Sequence, residues 1–362
     1  MRAGETNGPI PLLDLGRFDA GEAKRAAFLA DLRAAAHDVG FFYVTGHGVD
    51  PRLLHDLMDS ARRFFSLPDG DKLAIEMVNS PPFRGYNRVA SERTRGRPDW
   101  REQIDIGAER PALPRAGNSP AWARLQGPNQ WPATLPELRP AVERWQTAAI
   151  QVLIPILRAL ALALGQTENA FEPLYRDDPH YLVKLIRYPG VAAAGDARGA
   201  DAQGVGAHKD SELITLLLQD DQGGLQVETP QGWIDVPPRP GTFVINIGEL
   251  LELASDGYLR ATMHRVLTPP AGVERLSAAF FLGARLDATV PVLPLPPALA
   301  SHARGPERDP HNPLFREVGL NYLKGRLRSH PDVARRHHAD LLEPPIEAKI
   351  LMKSEIKRQK SP

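Results

Sequence analysis

The chain opens on a short apolar run, Ile10–Leu15, that predicts a strand. Residues 21–39 carry Ala27, Phe28, Leu32, Ala35 and Ala36 near one face of a 3.6-residue repeat, which predicts a helix ended by Gly40. Phe41–Thr45 is aromatic and β-branched and reads as a strand. Pro51–Phe65 reads as a helix with proline near its first turn. His47 lies between two glycines and reads as a turn residue. The longest amphipathic repeat covers Leu138–Gly165, where Val142, Trp145, Ala149, Val152 and Ile156 recur three or four residues apart. It predicts the main supporting helix, kinked at Pro155. Beyond it come short apolar segments: Tyr181–Tyr188, Leu213–Gln219, Leu225–Glu228, Trp233–Val236, Thr242–Ile247, Ala261–Leu267 and Leu276–Leu282. The turn signals DDQGG, TPQG and PPRPG separate them, and GELLELASDG inserts one short helix. Strands at this spacing predict a double-sheet jelly roll. Pro313–Arg328 is expected as a helix packed on the outside, followed by a charged tail from Ala348.

Three stretches break the periodicity. Ser80–Arg101 holds Arg84, Arg88, Arg93, Arg95, Arg97 and Arg101, and reads either as a solvated face or as a lid that meets an acidic substrate. Residues 108–136 are rich in Pro, Gly and Trp, as in an ordered connection on which Trp122 and Trp131 find packing partners. Residues 191–204 read as a loop at the mouth of a site. The expected organisation is mainly β with flanking helices. An N-terminal α/β region, 1–135, contains the lid 80–101. Supporting helices occupy 136–180, a jelly-roll catalytic core 181–295, and a C-terminal helix and tail 296–362, all packed as one unit.

Composition narrows the chemistry. Lys+Arg and Asp+Glu are equal at 44 each, so no net field favours nucleic acid or an anionic membrane. There is no cysteine, which excludes disulfides, thiolate metal sites and a cysteine nucleophile. Any metal must be held by histidine and carboxylate. The N-terminus has no apolar core of a signal peptide, and the apolar helix at 150–164 is interrupted by Pro155 and Arg158. The expected location is the cytoplasm.

Such a metal set is present. In GAHKD, His208 and Asp210 are two residues apart; on a strand, they project to one face. His264, in MHRV, follows 54 residues after Asp210 (264 − 210) and must return across the sheet. Two imidazoles and one carboxylate on one face of a metal leave the other face open, which suits non-haem Fe(II) with O2 and a cosubstrate. In RLS, Arg275 and Ser277 share a strand face, and a guanidinium fork beside a hydroxyl is a receptor for a carboxylate.

These motifs resemble the isopenicillin N synthase-like family of Fe(II)/2-oxoglutarate-dependent oxygenases. The matching text is GAHKDSELITLLLQDDQGGLQV, WIDVPPRPGTFVINIGELLELASDGYLRATMHRV and RLSAAFF, with IPLLDL, VGFFYVTGHGV, RGY at Arg84–Tyr86, GPNQWP and LIRYPG outside this core. The resemblance covers roughly residues 9–330. It implies a double-stranded β-helix fold and an oxidoreductase that couples decarboxylation of 2-oxoglutarate to succinate with hydroxylation, desaturation or ring closure of a small molecule in secondary metabolism. It implies Fe(II) on His208, Asp210 and His264, and 2-oxoglutarate on Arg275 and Ser277 with Tyr188 as a further contact. It makes Arg84 and Tyr86 substrate candidates, Arg84 for an acidic group such as a carboxylate.

Three departures from the family pattern stand out. Lys209 lies between two ligands and is expected to point off the metal face. Ile186 stands where many plant members have Asn, and FLGA replaces the commoner ending F-x-N-P. Three other readings of the same residues are an oxidase of the isopenicillin N synthase type that uses no 2-oxoglutarate, an ethylene- and succinate-forming enzyme, and a non-catalytic metal-binding jelly roll.

Overall fold

The computed structural model describes residues 9–114, 119–190, 203–307, 309 and 312–342. The loop expected at 191–204 lies, apart from its last two residues, outside the described residues, as does the charged tail. Strand β1 (Leu12–Asp14) leads through helix α1 (Glu22–Ala34) to strand β2 (Phe41–Thr45). The last turn of this helical stretch widens to a π turn at Ala35–Val39 and stops at Gly40, whose φ is +73°. A Cβ there would also collide with the Arg260 carbonyl, so glycine is required twice over. Helix α2 (Pro51–Phe65) keeps its expected bounds, because Asp50 accepts from the Arg52 N–H and Pro51 occupies the first turn. Helix α3 (Asp69–Ala74) and strands β3 (Gly85–Asn87), β4 (Arg93–Thr94), β5 (Arg97–Pro98) and β6 (Glu102–Gly107) follow.

Helix α4 (Leu138–Ala163) and the short α5 (Glu172–Tyr175) precede the strands β7 (Tyr181–Pro189), β8 (Gln203–His208), β9 (Ile214–Gln219), β10 (Leu225–Thr229), β11 (Gly232–Asp235) and β12 (Phe243–Ile247). Helix α6 (Glu249–Ala254) and strands β13 (His264–Leu267) and β14 (Glu274–Leu282) complete the jelly roll. Helices α7 (Pro297–Ala300), α8 (Val318–Ser329) and α9 (Pro331–His337) end the chain. Helix α4 continues about two turns beyond Pro155. Among the described residues it is the one helix long and apolar enough to cross a membrane, yet 61% of that window is buried. Trp145, Leu153, Ile156, Leu157 and Leu160 pack it into the core, so its apolarity is that of an interior helix.

Eight strands form one sheet in the order β1-β2-β12-β9-β14-β7-β6-β3, and four form another in the order β11-β10-β13-β8. The N-terminal strands therefore belong to the same sheet as the jelly-roll strands. One face of the large sheet packs on α1, α2 and α4 through the main apolar cluster. Its other face meets the small sheet through Phe41, Tyr43, Ile186, Val205, Val227, Val244 and Val266. Register fixes which side chains share that inner face. Asp105 pairs with Lys184, Gln103 with Ile186, Arg275 with Tyr188, Ser277 with Gln219, and Asn246 with Thr215. The inner face is thus apolar in the middle and polar toward its ends.

The structure corrects two expectations about elements. Helix α8 does not pack outside: it buries Asn321, Tyr322, Leu323, Lys324 and Leu327. The strand setting of GAHKD is also partial. His208 is the last residue of β8, and Asp210 lies beyond the strand end. The two side chains converge because the chain turns there, with Glu249 N–H donating to the Asp210 carbonyl at 2.8 Å and Gly248 N–H to that of Leu213 at 2.9 Å.

Candidate active site

Two antiparallel strands bring the histidines together: His208 on β8 is the register partner of His264 on β13, and their rings are 4.2 Å apart. His208 Nδ1 donates to the Gly206 carbonyl at 2.8 Å and His264 Nδ1 to the Thr262 carbonyl at 3.0 Å. A carbonyl only accepts, so each Nδ1 carries the hydrogen and each Nε2 presents a lone pair. Asp210 Oδ2 accepts from Thr215 Oγ1 at 2.6 Å and Asn246 Nδ2 at 2.8 Å. Its other oxygen, Oδ1, lies 3.5 Å from His208 Nε2 and 3.6 Å from His264 Nε2. Three ligand atoms within 4.8 Å of one another therefore face one point, each oriented by a hydrogen bond behind it. Neighbours at right angles on metal bonds of about 2.1 Å are ~3.0 Å apart, so Asp210 Oδ1 stands only about half an ångström beyond that spacing from each imidazole nitrogen. Burial pushes the Asp210 carboxyl up, but His264 and His208 outweigh it and hold it well below the usual carboxylate range. Burial opposes charge on His264, yet Asp210 raises its pKa above the ordinary histidine value.

The carboxylate receptor is also formed. Arg275 is fully buried; its NH2 donates to Gln219 Oε1 at 2.8 Å, its NH1 faces Ser277 Oγ at 3.4 Å, and its guanidinium lies 5.0 Å from the Tyr188 ring centroid. Its Nε has no partner, and no carboxylate among the described residues pairs with it. A buried guanidinium without a counter-ion is costly, and a bound carboxylate supplies one. Lys209 points away from the metal point to pair with Glu252 at 3.2 Å and Glu307 at 2.6 Å.

Arg84 and Tyr86 are corrected. Arg84 is 4% exposed, and its guanidinium donates to the carbonyls of Pro82, Phe83 and Leu125, fastening one turn to the next. Burial lowers its pKa to about 10. Tyr86 points to the helix-packed face beside Ile104, where its hydroxyl donates to Glu102 at 2.6 Å. Neither is displayed on a lid. In the 80–101 stretch, Arg88, Arg93, Arg95 and Arg97 are solvated, whereas Arg101 is buried.

Sequence reasoning missed a buried ion-pair network that reaches the strand carrying His208. Glu92 accepts from Arg101 at 2.7 Å and from Lys184 at 2.8 Å; Asp105 pairs with Arg326 of α8 at 2.8 Å and with Lys184 at 3.6 Å. Asp99 faces Arg101 at 3.6 Å and accepts from the Gly206 N–H, which docks the β4–β5 hairpin region on the strand that carries His208. Burial, then Arg326, depresses His330 to about 3. Burial raises the pKa of the Tyr322 phenol well above its ordinary value, and the charges of Glu212 and Asp210 add to the rise. Burial, then the Asp210 charge, pushes Glu212 itself up to about 8.

Comparison with known proteins agrees with this geometry. A family model described as the 2OG-Fe(II) oxygenase superfamily matches residues 180–284, and one described as non-haem dioxygenase in morphine synthesis N-terminal matches residues 10–134. The 2-oxoglutarate-dependent dioxygenase frbJ of Dothideomycetidae sp. (strain 11243) is 37% identical over 341 residues, covering 90% of this chain and 91% of the relative. Homoarginine-6-hydroxylase 2-ODD-C23 of Glycine max is 38% identical over 72% of this chain and 78% of its own length. Among solved structures, a full-length Neurospora crassa protein crystallised with alpha-KG and thymine aligns with a TM-score of 0.71 at 25% identity, over 89% of this chain and 98% of that one.

Proposed function

This chain belongs to the 2OG-Fe(II) oxygenase superfamily, and from that premise we propose the roles of its site residues: His208, Asp210 and His264 hold the iron, and Arg275, Ser277 and Tyr188 hold 2-oxoglutarate. The protein is a 2-oxoglutarate-dependent dioxygenase that oxidises small molecules, with Fe(II), 2-oxoglutarate and O2 as its requirements. The observation that carries the residue roles is the convergence of two free Nε2 lone pairs and Asp210 Oδ1 on one point. When bound, the iron and 2-oxoglutarate supply the oxidising power that removes hydrogen from the substrate, leaving succinate and CO2.

The chain's own contribution is positional. Thr215 and Asn246 occupy Asp210 Oδ2, so the carboxylate offers the metal a single oxygen and leaves the remaining positions open. Gly206 and Thr262 fix the imidazole tautomers. Arg275 sets the depth at which the distal carboxylate of 2-oxoglutarate ends, with Gln219 and Tyr188 restraining the guanidinium. The test is stoichiometric: purified, Fe(II)-loaded enzyme turning over a substrate should form one succinate per O2 consumed. Full substrate turnover without 2-oxoglutarate would favour the oxidase reading instead.

Metal loading should weaken in acid. His264 must be neutral to bind, and Asp210 raises its pKa above 6.5. Protons therefore begin to compete above that value, and apparent Fe(II) affinity should fall at least about fourfold between roughly pH 8 and pH 6. A titration of the apoenzyme at both ends of the range measures it, and equal affinities would contradict these ligands.

A further inference from the structure

We propose that Asp99 is a positioning residue of the metal centre. It holds Gly206, whose carbonyl orients the His208 imidazole, and through that hold the docking of the β4–β5 hairpin and the binding of a divalent metal favour one another. This rests on the ligand set above and adds what keeps one ligand in place.

His208 is the least supported of the three ligands. Its side chain is 32% exposed, against 9% for His264 and 6% for Asp210. Asp210 is held by Thr215 and Asn246, and the His264 ring packs edge-on against the buried Phe41 ring, 5.1 Å away. His208 is oriented by the bond from its Nδ1 to the Gly206 carbonyl at 2.8 Å. A carbonyl orients a ring only as well as it is itself held.

The sheet alone does not hold it. Strand β8 lies at an edge, so its outer side has no strand partner. Toward β13 the register slips: His264 pairs with His208 and Val266 with Val205, two steps on β13 against three on β8. The extra residue falls at Gly206–Ala207, and a residue bulged out of a ladder is left unpaired there. Asp99 supplies a partner from the open edge. It is fully buried, and its Oδ1 accepts from the Gly206 N–H at 3.2 Å and from Gln203 Nε2 at 3.0 Å. Along the same edge, the Trp100 N–H donates to the Gln203 carbonyl at 2.7 Å. A Cβ on Gly206 would strike the Gln203 side-chain amide and push it off Asp99.

The same carboxylate fastens the hairpin. Asp99 Oδ2 accepts from Thr94 Oγ1 at 2.7 Å and faces Arg101 at 3.6 Å. The Ala90 N–H donates to the Asp99 carbonyl, and the Asp99 N–H to that of Glu92, both at 3.0 Å. At the hairpin tip, Arg95 NH2 lies 3.8 Å from Sδ of Met263, the residue before His264. The hairpin therefore touches the chain beside both histidines. A metal that fixes His208 also fixes Gly206 and favours the docked hairpin. By linkage, the docked hairpin favours the metal by the same factor.

The test uses the metal-free full chain and Mn(II) as the probe, its binding followed by loss of the free-ion paramagnetic resonance signal. Trypsin reads the hairpin at the exposed Arg93 and Arg95, since the bond after Arg97 precedes proline and resists the protease. Cleavage tracks the open population when reclosing is fast. Saturating Mn(II) should slow cleavage at these two sites about tenfold in the wild type, the lower end of the effect of an outer partner of a metal ligand. Asp99→Leu keeps the bulk and strips the acceptors. It should lower Mn(II) affinity by the same factor and make hairpin cleavage fast and indifferent to the metal. Asp99→Asn keeps an oxygen for the Gly206 N–H and should restore most of both. Loss of fold opens tryptic sites throughout the chain, whereas undocking opens Arg93 and Arg95 alone. The wild-type comparison needs no variant, so it decides the matter even where Asp99→Leu does not fold. Hairpin cleavage that ignores saturating Mn(II), wild-type affinity in a folded Asp99→Leu, or an asparagine no better than leucine overturns the proposal. A wild-type chain that binds no Mn(II), or a His208→Ala chain that binds it as tightly, would instead overturn the ligand set on which it rests.

Discussion

Replacing Asp210 by alanine should leave a folded protein that retains no iron and loses more than about a hundredfold in turnover. Losing a group that merely orients a ligand costs roughly 10–100-fold, and Asp210 is itself the one carboxylate among the three converging groups. The variant keeps two imidazoles whose rings are 4.2 Å apart, a set that binds divalent metal weakly and does not fix one open face. The stability cost is separable. Thr215 Oγ1 and Asn246 Nδ2 both lose their acceptor, and each stranded buried donor costs about 1–3 kcal/mol unless water fills the space. Melting of the metal-free forms measures that cost, while iron content and succinate formation measure the site. An Asp210→Ala protein that holds stoichiometric iron and turns over normally would refute the ligand set.

Arg275→Lys should raise the KM for 2-oxoglutarate roughly tenfold to a hundredfold, the equivalent of losing one charge-assisted hydrogen bond of about 1.5–3 kcal/mol. The guanidinium is fully buried, restrained by Gln219 and backed by the Tyr188 ring, so its fork has a single orientation. An ammonium keeps the charge but neither the paired geometry nor the flat face that rests on tyrosine. The partition of the effect is informative. A change confined to the KM for the small-molecule substrate would assign Arg275 to that substrate, as in an oxidase that uses no 2-oxoglutarate.

Much of this site was legible in the sequence because its groups come in short motifs on strands. His208 with Asp210 and Arg275 with Ser277 are i, i+2 pairs, and Tyr188 sits at the end of a readable apolar strand. The reasons were less secure than the residues, since Asp210 lies past the end of β8. The buried ion-pair network was not legible. Glu102–Gly107 reads as EQIDIG, too polar for an interior strand, yet every residue of β6 is buried: Ile104 and Ile106 join the apolar cluster, while Glu102 and Asp105 meet cationic partners on opposite faces. Glu92 and Lys184 meet across 92 residues, and no local pattern announces such a pair. Helix α8 misled as well: Tyr322 is buried against His180 and Gly283, distant in sequence, while Asn321 and Lys324 turn back onto the loop before the helix, at Phe315 and Pro313. The arginines of residues 80–101 divide by burial, and burial is a property of the tertiary neighbours.

Helix α8 is attached to the barrel by the Arg326–Asp105 ion pair and side-chain packing, with no ladder hydrogen bonds to the strands that carry the ligands. Tyr322 and Arg326 stand one helical turn apart, on one face. An engineer can therefore diversify these two positions, varying Asp105 together with Arg326, while leaving His208, Asp210, His264 and Arg275 untouched. Such a library holds the metal ligands and the carboxylate receptor constant, so any change in substrate choice among its members would be assigned to α8.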